Sequence, residues 1–71
     1  MSMSKEQSTI GKTIRKYRQD KEMSQEALAR AANLSLPTIV KIESGETPNP
    51  SIDTVKKLAA ALGVSVDELL K

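Results

Sequence analysis

The chemistry open to this chain is set first by what it lacks. Its 71 residues contain no histidine and no cysteine, which removes imidazole bases, thiolate nucleophiles, disulfide frameworks and the usual zinc sites. The acids show none of the clustered spacing that a carboxylate-only metal site would need. No metal, no cofactor and no catalytic residue is therefore expected, and an enzyme reading has neither a titratable pair nor a cleft to start from. What remains is recognition. Between positions 25 and 44 the chain carries amide, hydroxyl and ammonium groups on Gln25, Ser35, Thr38, Lys41 and Ser44, groups that bind partners without transforming them.

Charge points the same way without demanding it. The net charge of +2 is mildly basic and compatible with nucleic acid. Lys5, Lys12, Arg15, Lys16, Arg18 and Lys21 are gathered before position 22, whereas from Glu22 to Pro50 the bases Arg30 and Lys41 face the acids Glu22, Glu26, Glu43 and Glu46. The single aromatic, Tyr17, argues against stacking of single-stranded bases. No apolar run approaches the roughly 20 residues that cross a bilayer. The polar start, Met1 to Ser8, carries no apolar signal core, so no membrane partner and a cytoplasmic location are expected.

The elements that must position those groups are helices. Ile10, Ile14 and Tyr17 form one apolar stripe over a segment from about Thr9 to Lys21. Lys12, Arg15 and Lys16 fall on its outer side, where a solvated basic face is the ordinary outcome. Ser24 is a good N-cap for the alanine-rich stretch Gln25 to Ala32, which stops at Asn33, a residue that tolerates the left-handed turn. Ser35 caps a third helix with Pro37 in its first turn, Ile39 and Ile42 inward, and Leu36, Pro37, Val40, Lys41 and Ser44 outward, ended by Gly45. Residues 46–50 hold two prolines and form a loop. Ser51 opens a fourth helix with the stripe Ile52, Val55, Leu58, Ala59 and Leu62, closed by Gly63. Ser65 and Glu68 form a capping box for a short last helix. The spacing predicts an all-α fold of five helices, with a flexible tail over residues 1–8 and one domain over 9–71.

Two helices joined by a short turn, the first rich in small residues, are the geometry of a helix-turn-helix, here spanning residues 25–44. Ala29 and Ala32 permit a close crossing, and Leu28, Leu34 and Ile39 fill the angle. That arrangement frees the outward face of the third helix to enter a major groove about 12 Å wide.

The segments Met23 to Ser35 and Ile39 to Gly45, with Pro50-Ser51 and Leu58 to Ser65 after them and Ile14-Arg15 and Arg18 before, resemble the Cro/C1-type helix-turn-helix family. This family of phage repressors and bacterial relatives is also called the xenobiotic-response-element family. The resemblance covers nearly all of the chain beyond the tail, and its specificity lies in the combination, since any one segment alone would be weak. It implies a five-helix, lambda-repressor-like DNA-binding domain. By this resemblance Ser35, Leu36, Pro37 and Lys41 occupy base-facing positions. Gln25, Thr38, Ser44, Asn49 and Ser51 occupy positions that meet the DNA backbone, and Arg18 with Glu43 match a structural salt bridge between the first and third helices. For Lys41 the contact would be to guanine O6 or N7. Leu36 and Pro37 either shape the start of the helix or touch thymine methyl groups.

The function implied is a transcriptional regulator, a repressor in the first instance, that reads a palindromic double-stranded DNA operator as a homodimer. RNA polymerase is a further expected partner. The alternative is an antitoxin-like interaction module that neutralises a toxin partner, which a slightly acidic motif with exposed Leu36 and Val40 would suit. Two departures from the family pattern matter. Glu46 is acidic where relatives often carry bases, and the recognition helix has few strong hydrogen-bonding side chains. Both imply modest affinity per monomer, with selection leaning on dimerisation or DNA shape. The last two helices, with Leu69 and Leu70, are the expected dimer surface.

Overall fold

In the computed structural model, which describes residues 9–70, five helices follow one another: α1 (Thr9–Asp20), α2 (Gln25–Ala32), α3 (Leu36–Ser44), α4 (Ile52–Leu62) and α5 (Val66–Leu70). No strand occurs among the described residues, and no helix among them is long and apolar enough to cross a membrane. The tail expected over residues 1–8, and Lys71, lie outside the described residues.

Local chemistry fixes the ends. Ser24, Ser35 and Ser51 have extended backbones, and each side-chain oxygen accepts the amide three residues on, a cap that stabilises a helix by about 1 kcal/mol. Before α5 the Ser65 amide donates to Glu68 Oε1 (3.0 Å) and the Glu68 amide donates to Ser65 Oγ (3.1 Å), a closed capping box. Asn33 ends α2 in the left-handed region, where the Leu34 amide reaches back to the Ala29 carbonyl at 2.8 Å. The same back-bonding ends α1, but there the left-handed residue is Glu22 (φ 56°), a position at which a residue with a Cβ is strained.

One core gathers Ile10 and Ile14 from α1, Leu28, Ala29 and Ala32 from α2, Ile39 and Ile42 from α3, Val55, Leu58, Ala59 and Leu62 from α4, and Leu69 from α5. Tyr17, Met23 and Leu34 pack on its rim. Helix α3 rests against both α1 and α2, and α2 leans in turn on α4, so the turn between α2 and α3 is supported on every inward side. Two side chains depart from the expected pattern. Ile52, placed on the α4 stripe by its spacing, is exposed, because the first turn of α4 begins beyond the edge of the core. Leu69 is wholly buried and only Leu70 faces outward, so an outer surface on α5 has Leu70 to offer and not both leucines.

Candidate nucleic-acid interface

The contact between α1 and α3 begins with a missing side chain. Gly11 is buried, and a Cβ built on it would overlap the Ile42 carbonyl oxygen and stand 3.3 Å from Glu43 Cα. The backbones of the two helices therefore meet without side chains between them, close enough for the next groups along α1 to reach α3 directly. Arg18 does so. Its Nε donates to Glu43 Oε2 at 2.7 Å and its Nη2 to Glu43 Oε1 at 3.0 Å, a bidentate pair. Its Nη1 donates to the Met23 carbonyl at 2.7 Å. Gln25 Nε2 adds a further donor to Glu43 Oε1, at 3.0 Å. Only 4% of the Glu43 side-chain surface remains accessible and 12% of that of Arg18, so the carboxylate depends on these three donors in place of water. Through this one carboxylate α1, the start of α2 and the C-terminal end of α3 are tied together.

The opposite side of α3 is open. At about 100° per residue, positions 36, 37, 40, 41 and 44 share one outward arc, and Leu36, Pro37, Val40, Lys41 and Ser44 are all exposed there. Leu36 and Val40 keep 39% and 42% of their surface and stand one helical turn apart on this arc. The Lys41 ammonium makes no hydrogen bond or ion pair among the described residues. The hydroxyls are occupied. Ser35 Oγ caps the helix and lies 2.7 Å from Thr38 Oγ1, and Ser44 Oγ donates to the Lys41 carbonyl (3.1 Å) while accepting from the Glu46 amide (3.3 Å). Ser51 Oγ accepts from the Thr54 amide and donates to Thr54 Oγ1; Asn49, two residues earlier, is exposed.

The residues singled out from the sequence thus fall into three places. Gln25, Ser35, Leu36, Pro37, Thr38, Lys41 and Ser44 belong to α2 and α3 or their caps. Arg18 and Glu43 lie beneath, and Asn49 and Ser51 lie beyond the loop at the start of α4. An open groove runs over the Arg18–Glu43 pair, lined by Ser24, Gln25, Val40, Ser44 and Arg15. The sequence places Arg15 with Lys12 and Lys16 on a solvated face, and in the fold it lines this groove instead. The signal that separates it from Lys12 and Lys16 is its three-residue spacing from Arg18, which turns it toward α3.

Residues 14–69 match the helix-turn-helix family profile. Over 61 residues the chain is 39% identical to the HTH-type transcriptional regulator SinR of Bacillus subtilis, covering 86% of this chain and 55% of SinR. It is 36% identical over 62 residues to the immunity repressor protein of Bacillus phage phi105, covering 87% of this chain and 42% of the repressor. The chain thus spans about half the length of these curated relatives. The crystal structure of SinR in complex with DNA superimposes with a TM-score of 0.85 at 39% identity, covering 87% of this chain and 98% of that one. The restriction-modification controller protein C.AhdI of Aeromonas hydrophila gives 0.81 at 34% identity, covering 86% and 91%.

Proposed function

The chain belongs to the Cro/C1-type helix-turn-helix family of transcriptional regulators, and from that premise we propose that it is a repressor that binds a palindromic duplex operator as a homodimer, with α3 in the major groove. The observation that carries this reading is the division of α3. Its inner side is locked through Glu43 to Arg18 and Gln25, and its outer arc presents Leu36, Pro37, Val40 and Lys41 to a partner. A helix read by base edges must be held in register, because a displacement of about 1 Å undoes a hydrogen bond.

In this reading Lys41 donates to a base acceptor in the groove. Gln25, fixed at one end by Glu43, turns the N-terminus of α2 to a phosphate, where amides and helix dipole favour an anion. Arg15 lines the groove beside Gln25 and Ser44 and is a second cation for the same strand. Thr38 and Ser44 approach the sugar-phosphate backbone, with Asn49 and the amides around Ser51 at a further phosphate. Leu36, Pro37 and the Ser35 cap meet the base edges. Two copies would place two α3 helices about 34–36 Å apart, one turn of DNA. The site of action would be the cytoplasm, where RNA polymerase is the machinery to occlude or contact.

Selection from a random duplex library tests this, followed by salt titration on the selected site. A palindrome with a linear fall of log K against log salt supports the proposal, and the slope counts phosphates neutralised. Sequence-blind binding, or none, would shift the reading to a protein partner docking on the outer arc of α3. SinR has itself been solved as a complex with SinI protein.

A further inference from the structure

Resting on that reading, we propose that α3 recognises its bases chiefly through their 5-methyl groups, so that the chain answers to thymine and to 5-methylcytosine by the same contact. The inference comes from which groups on the outer arc are free. Ser35 and Ser44 are spent on the helix ends, and Thr38 is engaged with Ser35. Glu43 is turned inward and bidentate to Arg18. Among the described residues Lys41 is the one polar side chain of the outer arc with no hydrogen bond inside the fold, and the Ser35–Thr38 pair keeps a single hydroxyl hydrogen to offer a base edge.

The remainder of the arc is apolar. Leu36 and Val40 are one helical turn apart and lie over one another, with Pro37, which has no amide hydrogen to donate, beside them. Cations border the patch on either side, Lys41 on α3 and Arg15 across the groove that Val40 lines. An apolar strip between two cations fits an occupant that carries apolar groups between two rows of anions. The major groove supplies that where 5-methyl groups project between its phosphate strands. Cytosine methylated at carbon 5 presents its methyl at the same place in the groove as thymine.

The test uses the whole chain and a duplex it has selected, with each thymine in turn replaced by deoxyuridine. That exchange removes a methyl and leaves every donor and acceptor in place. The expected result is a loss of about fourfold at one or two positions per half-site, the value of one buried methyl, and no change elsewhere. At those positions 5-methylcytosine should bind about fourfold better than cytosine. The sensitivity should vanish in Leu36→Ala at one position and in Val40→Ala at another. Both residues are exposed, so neither variant touches the core. Deoxyuridine duplexes that all bind like the parent would overturn the inference, as would a loss that both variants retain. In those cases the tight, salt-dependent binding of the parent duplex leaves the DNA-reading proposal standing. Should the chain select no duplex at all, both fall together.

Discussion

On its inner side α3 presents Ile39, Ile42 and Glu43 to neighbours that leave them no freedom, and on its outer side Leu36, Val40 and Lys41 are exposed. The two faces belong to one nine-residue helix and differ in how each group is satisfied. Inside, one carboxylate takes three donors and one glycine admits a backbone. Outside, an ammonium and two aliphatic side chains are exposed to solvent. Burying a charge is costly unless it is fully paired, so the inner network has only one good arrangement. That is what a recognition surface requires of the element that carries it. The comparison separates residues that hold α3 from residues that α3 offers, and each class should fail differently.

The largest effect is expected on the inner face. Arg18→Ala strands a buried carboxylate and should cost about 3–5 kcal/mol of folding stability, enough to unfold much of a domain this size, measured by chemical denaturation. Arg18→Ala with Glu43→Gln should recover part of that loss, which separates the stranded charge from lost packing. Next comes Gly11→Ala. Alanine favours a helix by about 1 kcal/mol, yet its Cβ meets the Ile42 carbonyl, so a net loss of about 1–3 kcal/mol is expected. At about 4–8 °C per kcal/mol this appears as a clear drop in Tm. An unchanged Tm would mean that α1 and α3 are not in backbone contact.

The outer face should behave in the opposite sense. Lys41→Ala is expected to leave stability within about 0.5 kcal/mol while weakening the preferred duplex by about 1–3 kcal/mol and relaxing one base position. Equal weakening on every sequence would make Lys41 a phosphate contact. The smallest effect lies away from both faces. Glu22→Gly removes the strain of a left-handed residue with a Cβ and should raise stability by about 0.5–1 kcal/mol, with DNA binding unchanged.

How much of this was legible in the sequence follows the range of the forces involved. The serine caps at positions 24, 35 and 51, the left-handed Asn33, and the glycine stops at 45 and 63 act within a few residues of themselves, and local patterns reveal them. The inward pair Ile39 and Ile42 could be read from helical periodicity. Gly11 could not, because its role depends on where α3 passes, and nothing near position 11 records that. Ile52 keeps the period of its helix and is nevertheless exposed, since periodicity gives direction around an axis but not where the core ends along it. Leu69 and Leu70 are adjacent, and only the docking of α5 decides which is buried. The pairing of Arg18 with Glu43 is 25 residues long-range; family resemblance indicated it and spacing alone did not. The engagement of the serine hydroxyls by their own helix ends is local, yet it shows its consequence only beside the exposed apolar arc.

The most direct test of the central claim is a chemical-shift map of the isotopically labelled chain titrated with its selected duplex. If α3 is the reader, the shifts should concentrate on Arg15, Gln25 and residues 35–41 with Ser44, follow fast loss of signal at the Lys41 side chain, and leave Leu58, Ala59 and Leu62 in place. Shifts centred on α4 and α5, with the outer arc of α3 silent, would contradict the account and assign the exposed Leu36 and Val40 to another partner.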